Sequence, residues 1–484
     1  MHGWAGALNH VDACRHFWRQ AYFGAEGRVM KIRLRKNVFV RHAGDESIMW
    51  CPRSGGSMVM KDARPFVEEV VTEWRDELNI DSAIARKFGS SLDEVSTDAR
   101  EIFKELLSRG FVDATESSGF VETMFYQDVT TKSSSRPVNA LDDAKEPDDD
   151  SIVDDFCERH GIPGGLHIDL TNTCTERCVH CYVPQNQRNF LPYEMAEKAL
   201  REFRAMNGFS VHLTGGEAMV HPDFEKICRL CVELNLNFLI FSNMTLCDKN
   251  RIAFLKEVDP QFINVSLYSM NADEHDAVTC LSGSWQKTMD ALLACEKAGV
   301  HCRIATPLLK ENKDAFSALK QFATVHHMHL VPSCDIVPRA NHTCSNLNHA
   351  CSAMELKKVL SANKTIFDHG WNGEMPKPVD KVCGIGEERL YLDSKGNYYP
   401  CDCMHEYVLG NVKEQTLEEI WKGEKLNYLR SLKNKDFGKC ASCEHRPWCK
   451  VCPAFNFNAT GDLFKTIPAK CAVSGVIHEV YGGK

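Results

Sequence analysis

The chain has 484 residues, enough for about three domains, and its 43% hydrophobic and 25% charged side chains are an ordinary globular balance. A formal net charge of −9 with no basic stripe argues against a nucleic-acid partner. No apolar run reaches membrane-spanning length and the N-terminus has no signal-peptide apolar region, so no membrane association is expected and the compartment reads as cytoplasmic.

Residues 1–29 show no clean period and read as a disordered extension or a misassigned start. From Lys31, "KIRLRKNVFV" alternates as a strand does, and "SIMW" and "SMVM" follow as short strands. Phe66, Val67, Val70, Val71, Trp74 and Leu78 recur at helical spacing. Ser91 and Glu94 form a capping-box pattern for a later helix carrying Val95, Ile102, Phe103 and Leu106, which Gly110 ends. Three strands followed by helices predict a small α+β domain over 30–115. Residues 116–160, with "TTKSSSRP" and "DDAKEPDDD", read as an acidic linker with no period.

Beyond the linker the pattern changes to strand–helix alternation over 161–335. The strand candidates are "GLHIDL", "FSVHLTG", "NFLIFSN", "FINVSLYS", "VHCRIAT" and "MHLVPS". Such alternation predicts parallel strands with crossover helices, and six units are too few for a closed eight-unit barrel. A partial barrel is therefore expected, with its chemistry at the C-terminal ends of the strands. Residues 336–382 form a bridging region.

Reduced thiols suit a cytosolic chain, so 23 cysteines point to metal or catalysis rather than disulfides. Cys228, Cys231, Cys247, Cys280, Cys295 and Cys302 lie in apolar helix or strand patterns and read as packing residues. Cys174, Cys178 and Cys181 differ. They follow the first strand directly, in "LTNTCTERCVHCYVP", whose Thr171, Asn172, Thr173 and Thr175 make a poor helix start and a good loop. Zinc sites normally close with four protein ligands, and four-iron clusters have four corners. Three cysteines on one loop suggest a cluster with one iron left for another ligand.

This CxxxCxxC loop after a first strand resembles the radical S-adenosylmethionine (SAM) superfamily. The resemblance implies a [4Fe–4S] cluster on Cys174, Cys178 and Cys181, with SAM chelating the fourth iron and yielding a 5′-deoxyadenosyl radical that abstracts hydrogen. It also implies SAM contacts from Gly215, Gly216 and Glu217 in "HLTGGE", from Ser242 and Asn243 ending the third strand, from Ser266 on the fourth and from Arg303 on the fifth. His180, beside the last cysteine, takes the position near the adenine.

The last hundred residues carry Cys383, Cys401, Cys403, Cys440, Cys443, Cys449, Cys452 and Cys471. The dense Cys440-x2-Cys443-x5-Cys449-x2-Cys452 run alone suits a zinc ribbon or an iron–sulfur site. With Cys383, Gly396 and Cys401 it resembles the SPASM extension of radical SAM peptide maturases, although Cys449 and Cys452 are one residue closer than that pattern usually has. By that resemblance Cys440, Cys443, Cys449 and Cys471 hold one auxiliary [4Fe–4S] cluster over 383–484, and Cys383, Cys401 and Cys452 hold another. Its fourth iron is expected to be open to a substrate thiolate rather than bound by Cys403.

The domain at 30–115 resembles, by order and pattern, the winged-helix-like RiPP recognition element, which binds precursor leaders by strand addition. Together these resemblances imply an α/β chain: a partial (β/α)6 radical SAM barrel between an N-terminal α+β recognition domain and a C-terminal SPASM domain. They imply SAM and three [4Fe–4S] clusters, a ribosomally made precursor peptide bound through its leader, and an electron donor such as flavodoxin or ferredoxin. The expected reaction is an intramolecular crosslink, a thioether first and a C–C or C–O aromatic link second. The alternatives are a maturase making no crosslink, such as an epimerase or residue oxidase, and a non-catalytic metal-binding peptide adaptor.

Overall fold

The computed structural model describes residues 30–116, 149–339 and 343–483, apart from positions 54–55, 71–72, 74, 89, 184–187, 369–370 and 372. The expected extension at 1–29 and most of the acidic linker lie outside the described residues. The chain divides into two compact units, Met1–Asp143 and Ala144–Lys484.

In the first unit the predicted long strand is two strands, β1 (Met30–Leu34) and β2 (Phe39–Ala43), which enter different sheets. β2 forms an antiparallel meander with β3 (Glu46–Cys51) and β4 (Gly56–Lys61). β1 lies between β5 (Arg75–Asp76) and β6 (Val112–Glu116), antiparallel to both. The helix expected across 66–78 is therefore broken. Among the described residues before β5 only Arg64–Val67 is helical, and the Arg75 guanidinium reaches back to the Glu69 carboxylate at 2.7 Å while its backbone pairs with Ile32. The helix predicted from the Ser91 cap runs Leu92–Ser108. Ile32, Met49, Phe66, Ile80, Phe103, Leu106 and Phe111 form this unit's core.

The second unit starts with a helix, Asp149–His160, at the end of the stretch read as linker. Phe156 of this helix meets Phe209 edge-on at 6.3 Å. All six strand candidates follow: β7 (Gly165–Thr171), β8 (Ser210–Gly215), β9 (Asn237–Ser242), β10 (Ile263–Ser266), β11 (Cys302–Pro307) and β12 (His329–Ser333). Adjacent strands in this series pair in parallel. One face, with Leu166, Ile168, Val211, Leu213, Ile240, Val265 and Ile304, packs on Leu200, Phe203, Ile227, Leu255 and Leu292 of the crossover helices.

The sheet does not stop at β7. β13 (Arg389–Leu392) joins its outer edge in parallel, pairing Tyr391 with His167, and β14 (Asn397–Tyr399) and β15 (Gly410–Asn411) continue antiparallel. The C-terminal cysteine region is thus built into the barrel sheet, which strand-by-strand reading did not anticipate. Among the described residues no helix is long and apolar enough to cross a membrane.

A chain ended at residue 382 would uncover the β7 edge and remove the buried Leu390, Leu392 and Tyr398, each contributing about 2 kcal/mol. That fragment is expected to aggregate in size-exclusion chromatography, where the full chain elutes as a discrete species.

Candidate functional site

The three-cysteine loop leaves β7 at a register shift between Asp169 and Thr171, an irregularity that turns the chain out of the ladder. Thr171 Oγ1 donates to the Asn189 carbonyl at 2.6 Å and accepts the Thr173 N–H at 2.9 Å. The second half of the loop lies along the helix Ala272–Thr279: Arg177 N–H donates to Thr279 O and Val179 N–H to Val278 O. Cys174, Cys178 and Cys181 are all half-buried here. Burial, with the Glu217 and Glu176 charges, pushes the Cys174 thiol up to about 12.

The segment ending β8 presses on this loop. Gly216 N–H donates to Thr171 O at 2.7 Å and Glu217 N–H to Thr173 O at 2.9 Å. Gly215 has φ +130°, and a Cβ there would stand 2.2 Å from Thr171 O; one at Gly216 would stand 2.5 Å from Thr173 O. Only glycine fits either place. The buried Glu217 carboxylate accepts from Met219 N–H, Ser242 Oγ and Asn243 N–H at 3.0, 2.9 and 2.8 Å. Burial raises its pKa against the pull of those donors. Asn243 Nδ2 then donates to Thr175 Oγ1 at 2.9 Å and approaches Cys174 Sγ at 3.7 Å.

The expected SAM contacts thus separate into groups. Glu217, Ser242 and Asn243 spend their side chains on one another and on the cysteine loop, so they frame the site. Ser266 ends β10 two residues before Tyr268, whose hydroxyl lies 3.7 Å from Cys178 Sγ. The His180 ring is edge-on to Tyr268 at 5.3 Å, and burial lowers its pKa to about 4. Arg303 is not at this edge. It is the second residue of β11, four positions before the strand end at roughly 3.3 Å per residue, and its guanidinium covers the Phe262 ring at 3.8 Å. Cys280, read as a packing residue, is exposed at the left-handed end of its helix, whereas Cys228, Cys231, Cys295 and Cys302 are buried.

The C-terminal thiols fall into two groups. Cys383, Cys401 and Cys452 lie within electrostatic reach of one another, and the Cys403 thiol, which its neighbour Cys401 and burial push up, belongs with them. Cys440 feels Cys449, Cys471 and Cys443. Among the described residues no three His, Cys, Asp or Glu side chains close around a single metal-ion position. The donors on offer are thiols throughout, which suit iron–sulfur clusters. Beside the first loop Thr173 Oγ1, Glu176 Oε1 and His180 Nδ1 are buried without a protein partner, fitting a polar cofactor.

Residues 168–323 match the Radical SAM superfamily and residues 383–444 match SPASM, an iron-sulfur cluster-binding domain. The chain carries a radical SAM domain and a SPASM domain. AdoMet-dependent heme synthase of Methanosarcina barkeri is 25% identical over 339 residues, 62% of this chain and 94% of that protein. Mycofactocin maturase MftC of Mycolicibacterium smegmatis is 25% identical over 316 residues, 62% of this chain and 80% of its own. Streptococcus suis SuiB bound to precursor peptide SuiA has the same fold at TM-score 0.58 and 14% identity, over 91% of this chain and 99% of SuiB. Native anSMEcpe with bound AdoMet and Cp18Cys peptide, at TM-score 0.53 and 17% identity, covers 66% of this chain and 97% of its own.

The radical SAM core also has a polar inner face, which the sequence reading missed. His167 and His212, on adjacent strands, meet through their ring nitrogens, and His167 Nδ1 lies 3.5 Å from Asp402 Oδ2. Tyr391 donates its hydroxyl to the buried Asp169 carboxylate. The His405 ring sits among Tyr391, Tyr182 and Tyr399 at 5.0, 5.3 and 6.1 Å. The signal was available: His167, Asp169 and His212 alternate with Leu166, Ile168, Val211 and Leu213, where a sheet covered on both faces is usually apolar throughout.

Burial, with the Asp393 and Asp402 charges added, raises the Asp169 pKa from 3.8 to about 7. The folded chain therefore holds this proton where the unfolded chain has lost it. Its contribution to stability is fullest below 3.8 and is lost as pH rises through the folded value. Asp169→Asn is expected to gain about 2–3 kcal/mol on wild type between pH 5 and pH 8. Denaturant midpoints of both proteins at the two pH values measure this, and a difference independent of pH would refute it.

Proposed function

We propose that this radical SAM enzyme is a maturase that binds the leader of a ribosomally made precursor peptide and installs an intramolecular crosslink in it. The observation that carries the reading is the N-terminal unit. Fold likeness to SuiB extends over 91% of the chain, further than the core-sized likeness to anSMEcpe at 66%. In that unit β2 and β4 each pair on one side only among the described residues, which supports leader binding by strand addition.

When bound to a cluster on the Cys174, Cys178 and Cys181 loop, SAM supplies the radical that removes a substrate hydrogen. The chain's own residues do the rest. Gly215 and Gly216 let two backbones meet, Glu217 locks the strand ends, and the His167, Asp169 and His405 face surrounds the peptide with polar and aromatic contacts. The two C-terminal thiol groups, Cys383, Cys401 and Cys452 in one and Cys440, Cys443, Cys449 and Cys471 in the other, would hold auxiliary clusters, which would supply an electron sink for an oxidative crosslink. A flavodoxin or ferredoxin class protein supplies electrons, and the maturase works in the cytoplasm.

A second reading, a small-molecule radical SAM enzyme, draws support from the heme synthase relative. That relative spans only 62% of the chain, so the reading leaves the N-terminal unit without a task.

Co-expression with short neighbouring reading frames, followed by peptide mass measurement, tests the function. A crosslink removes two hydrogens, whereas epimerisation leaves the mass unchanged. Deleting residues 30–115 is expected to abolish modification of the full precursor while SAM cleavage persists; undiminished processing would remove the leader-binding reading.

Cys403 divides the bond types. A free iron corner supports a thioether formed through a substrate thiolate, whereas the place of Cys403 within reach of both Cys401 and Cys452 supports Cys403 as the fourth ligand. With the corner closed, Cys403→Ser loses iron and its paramagnetic resonance signal, and the thiolate route falls. Unchanged iron content, with a signal that shifts on adding a cysteine peptide, is the outcome that route requires.

A further inference from the structure

A buried cation lies between the two groups of C-terminal thiols. Lys470 is in the first turn of the helix Pro468–Tyr481, one residue before Cys471. Its side chain is 12% exposed, and Nζ is 2.6 Å from Asp335 Oδ2. Nζ also stands 5.8 Å from the ring centre of Phe455, in the helix Pro453–Thr460 that begins right after Cys452. Its charge reaches Cys449 and Cys452, one thiol from each group. Asp335 is 37% exposed, so water screens the carboxylate more than it screens the ammonium. The pair lines a cavity whose wall combines Leu360, Phe367, Trp448 and Ile477 with the polar Cys334 and a second cation, Lys450.

Burying a lysine here costs desolvation and the rotamer freedom of a long side chain. A neutral pair would anchor the helix as well. What a neutral pair does not supply is a fixed positive charge beside both thiol groups.

We propose that Lys470 is a positioning charge that sets the reduction potentials of the iron–sulfur centres held by these two thiol groups, with Asp335 as its counterweight. This rests on the reading of the C-terminal thiols as cluster ligands. Reduction adds negative charge to a centre, so a nearby cation favours the reduced form and raises the potential, and a nearby carboxylate lowers it. The two residues therefore act with opposite sign, although they form one ion pair.

The test uses full-length wild type, Lys470→Met, Lys470→Arg and Asp335→Asn, each reconstituted anaerobically with iron and sulfide. Electron paramagnetic resonance through a redox titration gives the potentials, and the centre whose signal changes on adding SAM serves as internal reference. Lys470→Met is expected to lower the auxiliary potentials by on the order of 59 mV, a tenfold change in a one-electron equilibrium. Asp335→Asn raises them, Lys470→Arg keeps them, and the SAM-responsive centre stays in place in all four. A purely structural ion pair gives no such opposition of sign. Auxiliary potentials that stay fixed, or move the same way in Lys470→Met and Asp335→Asn, overturn the inference. If Lys470→Met fails to hold its clusters, the rise in Asp335→Asn against an unmoved Lys470→Arg still decides it. Wild type that binds only the SAM-responsive centre sinks the cluster-ligand reading first and takes this inference with it.

Discussion

One carboxylate holds the site together. Glu217 accepts hydrogen bonds from the start of its own 3₁₀ turn, from the Ser242 side chain and from the Asn243 backbone, tying the end of β8 to the end of β9. Because its backbone N–H is simultaneously given to Thr173, the same residue also fixes the cysteine loop. Three donors satisfy a charge that burial alone would reject, and losing one would leave a buried acceptor unpaired at about 1–3 kcal/mol. Asn243 extends the arrangement by turning its amide to Thr175 and Cys174. The glycines at 215 and 216 are the steric condition for all of it, since any side chain there would push the two backbones apart.

The second constraint is hydrogen-bonded continuity between sheet and C-terminal region. β13 pairs with β7 over four residue positions, and Tyr391 then reaches Asp169 across the inner face. Tyr182 follows Cys181 directly, and its ring lies 5.3 Å from His405, two residues beyond Cys403. The first cysteine loop and the Cys401 loop are therefore carried by one hydrogen-bonded ladder and separated by aromatic side chains. Functional groups mounted on rigid elements hold their geometry better than groups on independent loops.

The strands of the barrel were legible because each apolar run is short, β-branched and bounded by turn residues, and the cysteine loop was legible because thiols at that spacing in a polar segment have few other uses. Three features were not. Val70 and Phe66 sit at helical spacing, yet the chain leaves the helix to give β1 a partner, a tertiary demand that local periodicity does not carry. β13 is four residues long and its partner lies more than two hundred positions away, so nothing local identifies it. Ser242 and Asn243 stand at the strand end where the resemblance puts SAM contacts, and that their side chains also bond Glu217 and Thr175 has no local signal. Position along a strand was readable; the partner of each polar atom was not.

These constraints bear on how a peptide meets the chemistry. Separating the Cys181 loop from the Cys401 loop would break the β7–β13 pairing, the bond from Tyr391 to Asp169 and the packing of Tyr182 on His405 together. Such a cooperative loss is far costlier than moving a side chain, so the gap between the loops is set before any substrate arrives. Under the proposed crosslinking function, a gap of fixed width would select peptides by the spacing of the two residues joined. The polar lining adds a second filter, because His167 and Asp169 are desolvated already and favour a peptide that brings its own hydrogen-bond partners. On that proposal, width and polarity of the inner face would decide which residues are modified: a radical able to attack an unactivated C–H has little preference of its own, and selectivity has to come from what the chain holds within its reach.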